Sequence, residues 1–154
     1  MTYAAIRVRG TVNVNPDIKK TLKLLNLTKT NHCVIVDESP VTKGMLNVAK
    51  DYVTWGEVEK DVLLKLITSR GRLEGNKQLT DEYIKTATSY GSISKLSEAI
   101  IDNKFKYKEI PNIKPIFRLN PPRKGYEGIK RSYKNKGALG YRGKDINKLI
   151  ERMI

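Results

Sequence analysis

A basic stretch from Arg118 to Lys144 carries the residues whose types and spacing indicate a chemical role. It holds nine lysines or arginines against one acidic residue, Glu127. The cations are Arg118, Arg123, Lys124, Lys130, Arg131, Lys134, Lys136, Arg142 and Lys144. Tyrosines and glycines are interleaved with them: Tyr126, Tyr133, Tyr141, Gly125, Gly128, Gly137, Gly140 and Gly143. Cations neutralise phosphates, tyrosines stack on bases or contact sugars, and glycines allow close backbone approach, so the stretch indicates binding to a polyanion.

The charge is divided unevenly along the chain. The 154 residues have a formal net charge of +14 and a pI near 9.9. Residues 1–103 contain 15 basic and 12 acidic side chains, whereas residues 104–154 contain 15 and 4. We therefore divide the chain into a core domain with a helical extension, residues 1–103, and a proline-containing basic extension, residues 104–154. A pI this high indicates nucleic acid before a membrane surface, because the basic stretch lacks the amphipathic helix of a membrane binder.

The basic stretch is predicted to be extended and mobile until a polyanion orders it. It has no long apolar run whose burial would offset its chain entropy. Pro111, Pro115, Pro121 and Pro122 favour an extended approach to it. Behind it, residues 146–153 place apolar side chains at helical spacing. This terminal helix should dock on the domain, which would make the basic stretch a loop tethered at both ends.

The residue types needed for several kinds of active site are missing from the sequence. One histidine and one cysteine provide no zinc-ligand set, and no window matches a phosphate-binding loop. No cofactor and no metal are predicted. An enzyme would have to use carboxylates such as Glu57 and Glu59, although helix capping and solvation explain those acids with fewer assumptions. An RNA-processing or modifying enzyme and a DNA-compacting protein remain as alternatives.

The patterns along residues 1–103 predict alternating strands and helices. Apolar alternation predicts a half-buried strand over residues 4–8, and β-branched runs predict strands over residues 32–36 and 52–55. Asn15-Pro16 and Ser39-Pro40 each combine a capping residue with a proline at the first helical position, so each should start a helix. Further helices are predicted over residues 57–70 and 80–90, and another from Ser92 or Ser94.

Two basic pairs in the core domain are further candidates for phosphate contact. The alternation in the first strand puts Arg7 and Arg9 on its outer face. Arg70 and Arg72 flank Gly71 in a basic loop that could follow a phosphate backbone. A solvated strand face and a solvated surface turn account for the same residues, and both interpretations stay open.

Several short motifs, in order over nearly the whole chain, resemble one family. They are Ile6-Arg7-Val8-Arg9-Gly10, Tyr52-Val53-Thr54-Trp55-Gly56, Arg70-Gly71-Arg72, Gly140-Tyr141-Arg142 and Ile146-Asn147-Lys148-Leu149-Ile150-Glu151-Arg152-Met153. Together they resemble the large-subunit ribosomal protein called L-thirty in bacteria and archaea and L-seven in eukaryotes. The length, the basic tail and the closing helix are similar to the long archaeal form.

The resemblance implies an α+β fold with a β-α-β-α-β ferredoxin-like core and helices on one face of a small antiparallel sheet. It implies no catalysis. It implies structural binding to large-subunit ribosomal RNA, near the 5S RNA and beside other ribosomal proteins, in the cytoplasmic ribosome. The family motifs place Arg7, Arg9, Arg70, Arg72, Tyr141 and Arg142 among the RNA-binding residues. The other cations of the basic stretch are assigned to RNA binding from their charge alone.

Overall fold

The computed structural model describes residues 2–10 and 12–154, which form an α+β fold with a mixed sheet. The strands are β1 (Thr2–Arg7), β2 (His32–Asp37), β3 (Val53–Glu57), β4 (Ile116–Arg118), β5 (Gly128–Ser132) and β6 (Gly137–Tyr141). The helices are α1 (Pro16–Leu24), α2 (Pro40–Val48), α3 (Lys60–Arg70), α4 (Asp81–Ala87), α5 (Ile93–Ile101) and α6 (Ile146–Met153). The predicted order β-α-β-α-β is confirmed over β1 to β3.

The two helices of this core start where local sequence signals predict. The Asn15 side chain accepts a hydrogen bond from the backbone of Asp17, and the Ser39 hydroxyl accepts one from the backbone of Thr42. A proline follows each cap, where its missing N–H removes no helical hydrogen bond. Because these signals are local, both helix starts are read correctly from sequence.

The sheet is wider than a three-stranded core and has the order β4-β2-β1-β3-β6-β5. Strands β1 to β4 pair antiparallel, while β6 lies parallel to β3 through Thr54 and Trp55. Both β4 and β6 come from residues 104–154, so this segment contributes to the same sheet as residues 2–103. The division at residue 103 remains one of composition and charge.

Helices cover both faces of the sheet. Helices α1 and α2 pack on the face that carries Tyr3 and Ala5, which the alternation in β1 predicts to be the outer face. Helices α3, α4, α5 and α6 form a second core with Ala4 and Ile6 on the opposite face. All six residues of β1 are consequently buried. The prediction of a half-buried first strand with an outer arginine face is wrong, because alternation within one strand does not reveal a second helical layer.

The end of the chain docks on the domain as predicted. Ile146, Leu149, Ile150 and Met153 of α6 are buried in the second core. The basic stretch between β4 and α6 differs from the predicted extended loop, since it forms β5 and β6. Ala138 and Leu139 make a third, small core with Val8, and Tyr126 packs against them. These few apolar residues anchor the stretch to the domain. The overall composition of the stretch does not predict this packing.

Two predicted helix boundaries shift for local reasons. Helix α3 begins at Lys60 and not at Glu57, because Glu57 still pairs with Tyr3 in the sheet. Helix α4 ends at Ala87, short of the predicted Tyr90, because Thr88 is already extended and its hydroxyl donates to the Ile84 carbonyl at 2.7 Å. No helix in the described part of the chain is long and apolar enough to cross a membrane.

Candidate nucleic-acid interface

Arg7 lies inside the protein, although the sequence suggests an exposed cation. Its side chain is 2% exposed. The guanidinium donates from Nη1 to the Leu27 carbonyl at 2.8 Å and from Nε to the Arg9 carbonyl at 2.9 Å. Burial lowers the pKa of the guanidinium. In this structure Arg7 ties the end of β1 to the loop before β2, and its charged group is not presented to a ligand.

Arg142 is likewise turned inward. It is 6% exposed, and its Nε donates to the Thr54 hydroxyl at 2.7 Å while Nη2 donates to the Ala138 carbonyl at 2.8 Å. The guanidinium also lies 5.1 Å from the centre of the Tyr133 ring. Burial lowers its pKa, and the nearby Glu127 carboxylate partly opposes that shift. Arg142 therefore joins β3, β6 and the 3₁₀ turn Tyr133–Asn135.

Arg9 and Tyr141 are more accessible than these two arginines. Arg9 is partly exposed and stacks over the Tyr52 ring at 5.0 Å. Tyr141 is 46% exposed, and its hydroxyl donates to the Glu57 carboxylate. That hydrogen bond, with a smaller contribution from desolvation, raises the pKa of Tyr141 to about 12. The phenol is therefore neutral at physiological pH, and part of its ring is free to stack on a base.

Four cations surround one cleft of about 200 Å³. Its lining residues are Arg70, Arg72, Asn76, Lys114, Ile116 and Arg118. We call this the cationic cleft. The structure thus brings together three arginines that the sequence analysis selected from two separate segments. Lys114 is an addition that sequence reasoning missed, because it lies among prolines far from Arg70 and has no motif around it.

Backbone pairing builds the cationic cleft. Leu73 forms an isolated bridge with Ile113, and the Lys114 N–H donates to the Arg72 carbonyl at 3.0 Å. Arg118 is held on β4, where it pairs with His32 of β2. These long-range contacts join the loop after α3 to the segment that enters β4. No sequence periodicity links those two segments, so only the folded chain reveals the cleft.

His32 pairs with Arg118 across β2 and β4 and is buried. It is 9% exposed, and burial, followed by the charges of Arg118 and Lys29, lowers its pKa. Its Nδ1 is buried without a hydrogen-bond partner among the described residues. The neighbouring Cys33 is fully buried, and burial raises its pKa, so it is no nucleophile. Within the described residues no group of three His, Cys, Asp or Glu could hold a metal.

The outer side of the basic stretch carries a second set of cations. The exposed members are Arg123, Lys124, Lys130, Arg131, Lys134, Lys136 and Lys144. The only acidic residue within the stretch, Glu127, contacts Arg152 Nη1 at 3.5 Å and Arg142 Nη2 at 4.0 Å. The Glu127 carboxylate thus faces Arg142 and the α6 residue Arg152. Arg123 Nη2 donates to the Glu151 carbonyl at 3.2 Å, and the other outer cations are left to solvent or to a polyanion.

The two acids considered for catalysis are held where the end of β3 meets α6, by contacts of the Glu57 carboxylate and of the Glu59 backbone. Glu57 accepts the Tyr141 hydroxyl, while the backbone N–H of Glu59 donates to the Asn147 side chain at 2.8 Å. The Asn147 amide also donates to the Glu57 carbonyl at 3.0 Å. These contacts join the end of β3 to α6 and fix the start of α3.

Comparisons with known proteins agree with the motifs. The family model described as Ribosomal protein L30p/L7e matches residues 3–53. The protein "Large ribosomal subunit protein uL30" of Methanocorpusculum labreanum is 52% identical over 151 residues, which cover 98% of this chain and 99% of that protein. The proteins of the same name from Methanosphaera stadtmanae and Thermoplasma volcanium are 50% and 51% identical, covering 99% and 98% of this chain and 99% and 92% of theirs. This agreement runs almost from end to end, so the chain belongs to the L30p/L7e family of ribosomal proteins, in its long archaeal form.

Proposed function

We propose that this chain is a structural constituent of the large ribosomal subunit, where it binds ribosomal RNA and supports subunit assembly and translation. The observation that carries the proposal is its identity of about half, over nearly the full length, with proteins named as large-subunit components. The partners are ribosomal RNA and neighbouring ribosomal proteins of the cytoplasmic ribosome. The family is a non-enzymatic structural component, so the function requires no catalytic group.

The exposed cations supply the binding chemistry. The proposed contacts are Arg9, Arg70, Arg72, Arg118, Arg123, Lys124, Lys130, Arg131, Lys134, Lys136 and Lys144, with Tyr141 available for stacking. Each cation that neutralises a phosphate releases condensed counterions, which favours association and makes it sensitive to salt. Arg7 and Arg142 have a different part in the proposal: they hold the backbone that presents the exposed cations.

The folded domain fits the shape of the RNA, and the cations bind RNA phosphates. RNA helices are recognised mainly through their shape and through phosphate and 2′-hydroxyl contacts. A rigid sheet with cations at its edge and on its β5–β6 end therefore suits a surface between RNA helices. The α6 helix keeps the basic stretch attached to the sheet before RNA arrives, so less chain entropy is lost on binding.

A finer proposal is that the binding site lies near the 5S RNA. It rests on the family resemblance alone. Crosslinking of the assembled subunit through an exposed position such as Lys124 should recover 5S RNA together with the large ribosomal RNA. Recovery of large ribosomal RNA without 5S RNA, from several exposed positions, would contradict the location and leave the ribosomal role intact.

Sedimentation tests the main proposal directly. Tagged chain in a lysate of its own cells should sediment with large ribosomal subunits at moderate salt, and high salt should release it. A chain that stays at the top of the gradient at every salt concentration would contradict the proposal. Equal affinity of purified chain for duplex DNA and structured RNA would favour DNA compaction instead, and a turnover abolished by Glu57→Ala or Glu59→Ala would favour an enzyme.

A further inference from the structure

We propose that the cationic cleft is a dedicated site for a backbone phosphate of non-helical RNA, such as a bulged or single-stranded segment. This inference deepens the proposed function and rests on it. It assigns one part of the surface to one kind of RNA feature, whereas the remaining cations act on phosphates generally.

The positive charges of the cationic cleft favour the binding of an anion. Four cations line it, and among the described residues no carboxylate forms an ion pair with any of them. Like charges held around one small space repel one another, and low-dielectric walls strengthen their field at the centre. Three surface cations elsewhere in this chain, Lys43, Lys60 and Lys65, have acidic partners, whereas the cleft cations resemble the outer cations of the basic stretch in having none among the described residues. The cationic cleft therefore has excess positive charge that a bound phosphate would neutralise.

The size of the cleft suits a small group. Pockets that enclose drug-sized ligands usually have about 300–1,000 Å³. At about 200 Å³ the cationic cleft is smaller than that range, so it suits a group smaller than a whole nucleotide. A phosphate with the edge of its ribose is such a group. Ile116 adds an apolar wall and Asn76 an amide to the lining, and both can contact a sugar or a base edge.

One of the four cations is already oriented. Arg72 donates from Nη1 to the Gly71 carbonyl at 2.9 Å and to the Ser69 carbonyl at 3.3 Å. This leaves its Nε and Nη2 N–H groups without an acceptor in the described residues. Those two nitrogens form one edge of the guanidinium and suit the bidentate geometry of a phosphate. An oriented donor loses less conformational entropy when it binds.

The shape of the site favours non-helical RNA. In a regular duplex the phosphates are fixed along a stiff helical path, whereas loops and bulges can splay a phosphate and its neighbours outward. The cationic cleft draws its donors from α3, from the loop after α3, from the segment that enters β4 and from β4 itself, so they converge on one concave point. A single projecting phosphate meets more of these donors than a phosphate held in a helix.

The test compares two charge-matched double variants of the full chain. R70Q/R118Q removes two cations from the cationic cleft, and neither side chain has a hydrogen bond within the described structure. K130Q/K134Q removes two exposed cations from the β5 region. The probes are a short single-stranded oligouridine, an RNA duplex of equal length and large-subunit ribosomal RNA. Urea unfolding of each variant verifies that it remains folded, and K114Q provides an independent change within the cleft.

At a salt concentration of about 0.15 M, R70Q/R118Q should lose about 10-fold in affinity for oligouridine, as expected for two lost single-strand phosphate contacts. K130Q/K134Q should lose much less on this short probe, and the duplex should not distinguish the two variants. K114Q should weaken oligouridine binding in the same direction. Equal losses for both double variants on oligouridine would overturn the cleft while leaving the ribosomal proposal standing. Failure of the unmodified chain to bind ribosomal RNA would overturn both.

Discussion

The basic stretch has an inner and an outer side that use the same residue types for opposite purposes. On the inner side Arg142 bonds to Thr54 and Ala138 and is almost inaccessible. On the outer side Lys130 and Arg131 are exposed, with no acidic partner among the described residues. The inner arginine stabilises the fold, and the outer cations offer charge to a polyanion. Residue type alone does not separate these roles; burial and available acceptors do.

The largest expected effect comes from removing charge on the outer side. The variant K130Q/R131Q/K134Q/K144Q should lose about 10²- to 10³-fold in affinity for ribosomal RNA at a salt concentration of about 0.15 M. The slope of log affinity against log salt should become shallower by about 3 to 4, because about four counterion-releasing contacts are lost. Filter binding measures both quantities. The urea midpoint of the variant should match that of the unmodified chain, and an unchanged salt slope would contradict a binding role for the outer cations.

Removing the inner charge should affect folding. Arg142→Met keeps an apolar stem of similar reach but removes the donors to the Ala138 carbonyl and the Thr54 hydroxyl. The free energy of unfolding should fall by about 2 to 4 kcal/mol, since a buried carbonyl loses its charged partner. Urea unfolding measures this loss. The matched change Arg131→Met, on the outer side, should alter stability by less than about 0.5 kcal/mol, and equal losses would contradict the division into two sides.

A smaller loss of stability should follow from disturbing the close contact between Gly56 of β3 and Gly143. A Cβ at Gly56 would lie 1.9 Å from the Gly143 carbonyl oxygen, so Gly56→Ala requires the backbone to move. We expect a loss of about 1 to 3 kcal/mol in unfolding free energy. Gly44→Ala is the control, because its Cβ meets nothing within 4 Å inside α2. That change should stabilise the protein by about 0.5 to 1 kcal/mol; equal destabilisation by both variants would contradict the close approach.

The smallest effect concerns the buried imidazole of His32, the strand partner of Arg118. The pKa of His32 is lowered in the folded protein, so the unfolded chain takes up its proton first as the pH falls below about 6.5. Stability should therefore be constant above that pH and should decline below it, by at most about 1.4 kcal/mol per pH unit. Urea midpoints between about pH 7.5 and 5.5 measure the decline. His32→Gln should flatten it, and an equally steep decline in that variant would assign the effect to other groups.

Local signals account for what the sequence predicts correctly. The caps before α1 and α2 and the apolar spacing of α6 depend on residues within a few positions of each other, and each element is found where predicted. The burial of Arg7 depends on helices that lie far away in sequence, so strand alternation gives the wrong face. The cationic cleft unites Arg70 and Arg118 through pairing between Leu73 and Ile113, which no local pattern encodes.

The basic extension cannot be removed without also removing part of the sheet. Truncation after residue 103 would remove β4, β6 and α6, which belong to the sheet and to the second core. Such a chain would lose structure together with charge. Substitutions on the outer side of an intact chain separate these two losses.

The most direct test of the account is the salt dependence of binding by the intact chain. Filter binding to large-subunit ribosomal RNA and to mixed duplex DNA would be followed from about 50 to 200 mM salt. If the exposed cations contact about 6 to 10 phosphates, affinity for the ribosomal RNA should fall by about 10³- to 10⁵-fold over that range. The ribosomal RNA should also bind more tightly than the DNA throughout. A slope near zero, or equal affinity for both nucleic acids, would contradict the account.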